Sequence, residues 1–480
     1  MSPANNTNSW LLIGAAVLLA VACSSTTTSE PGAAAGAPAS DAGDAASGGS
    51  SGDGSAGAGG TAGAVATGGS AGAGGTAGAG ATGGSAGAAG SGAGGSAGSP
   101  CDDPCPAPNG GVTWQCKKRF LYGVNYAWNV FGGDFGGVPQ WGQHGVSNNA
   151  GAVSADLADM RAHGAGTIRW WMFPDFRGAG VTFDASDTPT GLGGTAVADI
   201  DKALELAEQN DVYLMLTLFS FDAFKPTGDV SGIRVPGIAP MVTDDARRAA
   251  LMQVVRQVAQ TVEASPYAHR MMAWDVINEP EWAISGTDPY ADPAFTPDAS
   301  SLQTVTFSQM ETFVKDAISA LRGESSALVT VGGAAAKWAR DWSQVDVDFY
   351  SLHIYDWVDQ YWPYSDPPGT YGLSKPIVMQ EMAFDGLSGT PYGTVVQSFW
   401  DTGYAGAMPW MWTEASAANK SAFKAFADQH GCETVYSHAV ANLLAASAHP
   451  FCRAAPVPGV IPSLRRCRVL DGVPDCSGAR

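Results

Sequence analysis

MMAWDVINEP, residues 271–280, is an apolar run that turns polar at Asn278 and Glu279 and then meets a proline. Eight residues of this kind, rich in aromatic and branched side chains, read as a strand buried on both faces. Pro280 cannot continue the ladder, so the strand should end where its polar residues begin. Seven further runs share the pattern: FLYGVN (120–125), GTIRWW (166–171) and VYLMLTLF (212–219) before it, and ALVTVGG (327–333), DFYSLHI (348–354), PIVMQE (376–381) and GAMPWMW (406–412) after it.

Helical periodicity fills most of the intervals. Residues 154–163 open with Ser154, Ala155 and Asp156, and residues 195–209 carry Val197, Ile200, Leu204 and Leu206 on an apolar stripe. Residues 244–264 place Leu251, Val254, Val255, Val258 and Val262 at helical spacing. Residues 301–321 do the same with Phe307, Met310, Phe313, Val314, Ile318 and Leu321. Strands alternating with helices argue for βαβ units and a parallel sheet, and eight such units match an α/β fold of the (β/α)8 TIM-barrel type. A doubly wound sheet is the alternative, but no Gly-rich phosphate loop follows an early strand.

In such a barrel the site lies at the C-terminal strand ends. Those ends carry Arg169, Asn278-Glu279-Pro280, His353 and Tyr355, Gln380-Glu381, and Trp410 with Trp412. Glu279 and Glu381 belong to strands three units apart, which puts them on facing sides of an eight-stranded barrel. Cleavage of a glycosidic bond with retention needs two carboxyl groups about 5–5.5 Å apart, one a general acid and the other a nucleophile. Glu281 reads as a loop carboxylate. One of Trp170 and Trp171 should belong to the core, because consecutive strand residues face opposite ways. Trp128, Trp141, Trp282 and Trp357 fall in loops on the same side, where indole faces suit sugar rings.

WDVINEP (274–280) resembles the acid/base signature of the barrel glycosidase clan that includes the family 5 cellulases and mannanases. The resemblance spans roughly residues 118–430. It implies a retaining glycoside hydrolase that cleaves β-linked polysaccharide, of endo-β-1,4-glucanase or β-mannanase type, and needs no cofactor or metal. It makes Glu279 the acid/base, Asn278 a contact to the sugar 2-hydroxyl and Glu381 the nucleophile. Arg169 becomes the strand-2 arginine that keeps the nucleophile ionised. His353 and Tyr355 become the strand-6 His-x-Tyr, and Trp410 or Trp412 the sugar platform. His353 is open to a second reading as a hydrogen-bonded core histidine. Strand 3 departs from the family, with Ser220 and Asp222 where many members carry a histidine. Asn125, Trp128 and Asp134, in the Gly- and aromatic-rich loop after strand 1, are further candidate substrate contacts. The competing function is a catalytically inactive, surface-tethered carbohydrate-binding barrel; two intact glutamates favour the enzyme.

Around the barrel the sequence changes character. Residues 10–22 form an apolar run of thirteen, too short to span a bilayer but right for a signal peptide, and Ala20 and Ala22 precede Cys23. This resembles a bacterial lipoprotein signal (residues 1–23), with Cys23 as the lipid-bearing residue of an exported protein. The run lacks Lys or Arg before it, and Ala20 stands where Leu is commoner. Residues 24–100 are Gly, Ala, Ser and Thr with a fifteen-residue repeat, AGAGGTAGA at 56–64 and 71–79. Without an apolar face they read as a flexible linker spanning on the order of 50 Å.

The catalytic domain is then residues 101–430, and residues 431–480 are a Cys-rich extension. Cysteines 101, 105 and 116 before the barrel, and 432, 452, 467 and 476 after it, read as disulfide staples of an exported domain. CDDPC has no partner pair at zinc-finger spacing. A formal charge of −20 argues against nucleic acid or an anionic membrane surface as partner. The expected partner is a neutral polysaccharide, met by a monomer whose membrane contact is at most the lipid on Cys23.

Overall fold

The computed structural model describes residues 103, 105–290, 293–297, 301–358 and 366–436, with a short strand pair at 468–470 and 473–475. The signal, Cys23, the linker and cysteines 101, 452, 467 and 476 lie outside the described residues.

Eight parallel strands close into a barrel. They are β1 (Leu121–Ala127), β2 (Thr167–Trp171), β3 (Tyr213–Ser220), β4 (Met271–Asn278), β5 (Leu328–Gly333), β6 (Tyr350–Ile354), β7 (Ile377–Met382) and β8 (Gly406–Ala407). Each pairs with the next and β8 closes on β1. Every residue of β3 and β4 is buried, because one face fills the barrel and the other meets helices. The fold is the (β/α)8 barrel expected from the strand pattern.

The outer layer holds α1 (Ala150–Ala162), α2 (Ala196–Gln209), α3 (Asp245–Ala264), α4 (Phe307–Arg322), α5 (Tyr392–Thr402) and α6 (Ala417–Thr434). Asp244 caps α3 by accepting from the Arg247 amide. Two starts differ from the periodic reading. The segment from 301 first pairs Val305–Thr306 with Ile284–Ser285, and α4 begins only after the capping box of Thr306 and Gln309. α1 begins four residues before Ser154, which is therefore an interior residue rather than a cap.

The barrel's lower mouth is plugged by both ends of the described domain. A hairpin of Val112–Trp114 and Lys117–Arg119 covers it, and Trp114 packs edge-on against Tyr213 at 4.6 Å. Tyr436 lies beyond α6 and donates its hydroxyl to the Val112 carbonyl at 2.8 Å. The Cys105–Cys432 disulfide joins these ends across 327 positions. Cys116 is also disulfide-bonded. A domain limit at 430 therefore cuts through the last turns of α6, and the packed barrel continues to Tyr436.

Candidate active site

The polar residues at the upper strand ends converge because the ladders are level there. Asn125 on β1 pairs with Arg169 on β2, Asn278 on β4 with Ser220 on β3, and His353 on β6 with Glu381 on β7. Glu279 follows β4 in the left-handed region, φ 50° and ψ 49°, which non-glycine residues rarely adopt outside functional or strained positions. Its amide donates to the Gly332 carbonyl at 2.7 Å, tying the turn to β5.

The turn Pro280–Ala283 sends its neighbours apart. Trp282 donates its indole N–H to Glu279 Oε2 at 3.0 Å. Glu281, expected as a loop carboxylate, is instead fully buried. It accepts from the Ala334 amide at 2.9 Å and the Trp342 indole at 2.7 Å, and burial pushes its carboxyl up to about 7. Both partners belong to the segment after β5, so Glu281 fastens the Glu279 turn to it.

Glu381 meets a different set of donors. The Arg169 guanidinium pairs with Oε1, and the Tyr355 hydroxyl donates to Oε2 at 3.1 Å. Arg169 also bonds Asp275 Oδ2 through Nε and Nη2 at 2.9 and 2.8 Å, and reaches Asn125 Oδ1 at 2.8 Å and Asn278 Oδ1 at 2.7 Å. Burial raises the Glu381 carboxyl above its ordinary range, while the Arg169 guanidinium opposes the rise. Burial raises Glu279 to about 8, opposed by the Trp282 N–H and the more distant Arg169, with the Asp222 charge adding to the rise. The guanidinium touches Glu381 alone of the pair. Near neutrality the shared proton therefore belongs on Glu279, and Glu381 is the anion.

His353 lies beneath both. Its Nδ1 is 2.8 Å from Glu279 Oε1 and 3.5 Å from Glu381 Oε2, and burial lowers its pKa, so the ring is neutral. One oxygen of each glutamate and this ring nitrogen lie within 4.8 Å of one another. That is the short spacing of a retaining pair; an inverting pair needs about 6.5–9.5 Å. Such donor types also suit a metal ion, but the guanidinium already seated on Glu381 would repel one, and the nest does not fit a resident cation.

Aromatic rings flank the pair. Trp128, Trp171 and Trp410 pack together with centroids 5.3–5.7 Å apart, and Arg169 lies 5.6 Å from the Trp171 ring. Beside Glu279, Trp357 stacks on Trp282 at 5.7 Å and on Tyr355 at 6.0 Å. Trp357 is 47% exposed, more than any other tryptophan among the described residues.

Several expected substrate contacts are not at the surface. Trp412 is 1% exposed and donates to Asp159, because β8 ends at Ala407 and the chain turns at Trp412–Glu414 instead of continuing the strand that would align it with Trp410. Asn125 is buried with its amide on the Gln380, Met408 and Pro409 carbonyls. Arg169 and His353 are fully buried, covered by the glutamates they contact, so neither reaches a sugar directly. Asp134 accepts from two backbone amides and from Trp170, the core member of its Trp pair, and burial raises it to about 7. Trp141 packs on a satellite cluster of Val138, Ile233 and Val235. Tyr355, Trp128 and Trp410 are half-buried beside the pair, whereas Asn278 is as buried as Trp412 and bonds Arg169.

Asp275 and Thr217 of the network escaped the sequence reading, and Gln380 was named there only as the strand-end neighbour of Glu381, with no role. Thr217 donates to Asp275 Oδ2 at 3.0 Å, and Gln380 joins the same oxygen and His353. Their signal was there: a carboxylate and an amide inside otherwise apolar strands must be hydrogen-bonded.

No family model matches the chain. By sequence it is similar to the mannan endo-1,4-beta-mannosidase of Mytilus edulis, 22% identical over 332 residues that cover 63% of this chain and 86% of that protein. It is also similar to that of Cryptopygus antarcticus, 23% identical over 330 residues covering 61% and 80%. Among solved structures the barrel resembles the beta-1,4-mannanase of Aplysia kurodai, with TM-score 0.56, 19% identity and coverage of 69% of this chain and 99% of that one. The endo-1,4-beta-mannanase of Eisenia fetida gives TM-score 0.55, 20% identity and coverage of 67% and 94%. At these identities the structural likeness bears on the fold. The fold is thus that of the (β/α)8-barrel enzymes, and the sequence relatives are glycoside hydrolases acting on O-glycosyl bonds.

Proposed function

We propose that this chain is an exported, retaining endo-β-1,4-mannanase with Glu279 as acid/base and Glu381 as nucleophile. The observation that carries the reading is the pair itself: two strand-end carboxyls within 4.8 Å, one in contact with a guanidinium and the other not. Glu279 protonates the glycosidic oxygen as a Glu381 oxygen attacks the anomeric carbon, and the leaving chain departs as an alcohol. Glu279, now a carboxylate, takes a proton from water, the water oxygen displaces Glu381, and the sugar leaves with its original β configuration. Arg169 and Tyr355 hold the attacking oxygens. Asn278 has its Oδ1 occupied by Arg169, which leaves its N–H groups for the sugar 2-hydroxyl. Trp410 with Trp128 and Trp357 with Trp282 supply stacking faces on the two sides of the bond.

Mannan as substrate rests on the relatives, whose names specify it; β-1,4-glucan is the second reading. Export is supported by residues 10–22 and by the Cys105–Cys432 disulfide, since such bonds persist in oxidising compartments. A lipid on Cys23 and a linker at 24–100 would then hold the barrel off the cell surface. The test is release of reducing ends from a panel of β-linked polysaccharides, with product anomers followed by NMR. Glu381→Ala should lose at least about 10⁴-fold in turnover while binding mannan. Retained turnover would remove Glu381 as nucleophile, and an initially α product would remove the retaining mechanism.

A further inference from the structure

Gln380 precedes Glu381 on β7, is fully buried, and has no part in the scheme above. Its amide nitrogen faces Asp275 Oδ2 at 3.3 Å and the Met215 sulfur at 3.1 Å, both acceptors. The orientation of the amide is thereby settled by chemistry: nitrogen toward Asp275, oxygen toward His353. Asp275 is itself held by two Arg169 bonds, Thr217 and the Gly332 amide. Gly332 allows this packing, because a Cβ there would stand 2.9 Å from Gln380 Oε1.

The consequences pass along the chain of contacts. Gln380 Oε1 lies 3.1 Å from His353 Nε2, so that nitrogen must carry the hydrogen. In a neutral ring the other nitrogen is then a bare acceptor. Yet Nδ1 faces Glu279 Oε1 at 2.8 Å, and a lone pair against a carboxylate oxygen at that distance is repulsive. A protonated Glu279 donating from Oε1 removes the conflict. Glu381 has no such need, since its oxygens already receive Arg169 and Tyr355.

We infer that Gln380 is a positioning residue: by accepting from His353 Nε2 it holds the imidazole in the Nε2–H form, so that bare Nδ1 receives the Glu279 proton and keeps it on Glu279 rather than Glu381. The inference rests on the acid/base reading of Glu279. The charged and titratable groups around Glu279 are Arg169 from β2, Asp222 after β3, and Glu281 on its own turn. His353 and Tyr355 face it from β6 and Glu381 from β7. Lys337, after β5, lies 6.0 Å from the Trp282 ring. Among all of these His353 alone has a donor or acceptor character that a neutral amide can select.

Two measurements test it. In protein labelled with ¹⁵N-histidine, the ring signals of His353, assigned by their loss in His353→Asn, should show protonated Nε2 and bare Nδ1 across neutral pH. A proton on Nδ1 overturns the inference without recourse to any Gln380 variant. In Gln380→Met the ring is free to turn to the Nδ1–H form and donate to Glu279, favouring its carboxylate. The alkaline limb of kcat/KM should then fall by about one pH unit. The acid limb, set by Glu381 with Arg169 and Tyr355, should stay. An unmoved alkaline limb, or both limbs moving together, overturns it. Failure of the hydrolase reading would show separately, as turnover surviving Glu381→Ala.

Discussion

Trp282→Phe should shift the pH dependence of this enzyme in one direction only. Among the described residues the indole N–H is the one hydrogen-bond donor that reaches Glu279 Oε2, at 3.0 Å, and phenylalanine keeps a ring for Trp357 to stack on while removing that donor. A hydrogen bond to a charged group contributes about 1.5–3 kcal/mol. The bond favours the carboxylate over the acid, and one pKa unit corresponds to about 1.4 kcal/mol. Its loss should therefore raise Glu279 from its value of about 8 by roughly one unit. In the proposed mechanism Glu279 must be protonated to act, so activity should fall above its pKa, and the alkaline limb of kcat/KM should move upward by that amount. Trp282 makes no contact with Glu381, so the acid limb should not move. The assay is a kcat/KM profile from pH 4 to 10 on a soluble mannooligosaccharide. An alkaline limb that stays in place or moves down would refute the assignment of that limb to Glu279.

Further outcomes follow from the same contacts. Trp357→Ala should raise KM about fivefold on polymer, the loss of about 1 kcal/mol of stacking, and leave hydrolysis of a short activated glycoside nearly unchanged. Trp412→Ala should lower stability by about 3–5 kcal/mol in urea unfolding, as for any buried large ring, and Trp410→Ala should not; equal stability would return Trp412 to the cleft. Cys432→Ser opens the bond that joins the two plugging segments and should cost about 2–5 kcal/mol of stability, read as a lower denaturant midpoint with KM unchanged.

The strand-by-strand order was legible because buried parallel strands have a composition of their own. Met271–Asn278 matches its expected limits residue for residue, and Glu279 followed from the proline that ends it. β8 was misread in length for the same reason: GAMPWMW is apolar throughout, yet the strand is only Gly406–Ala407, followed by an isolated bridge from Trp410 to Ala383. Composition reports burial, and burial is shared by a strand and by a loop packed under helices. Trp412 was placed beside Trp410 by that error. Glu281 and Asp134 look like loop acids in a string of letters; their partners, Trp342 and Trp170, are brought to them from other segments.

By itself the sequence determined the kind of fold, the positions of both glutamates at strand ends, and the chemistry two facing carboxyls can perform. These depend on local alternation and on strand count, which are written along the chain. The resemblance already implied which glutamate holds the proton; only the tertiary structure supplied the contacts that favour that assignment. That choice depends on Arg169 lying against Glu381, Trp282 against Glu279, and an amide 101 positions beyond Glu279 orienting the histidine beneath them. Electrostatic and hydrogen-bonding terms of this size fall off within a few ångströms, and separation along the chain says nothing about which groups come that close.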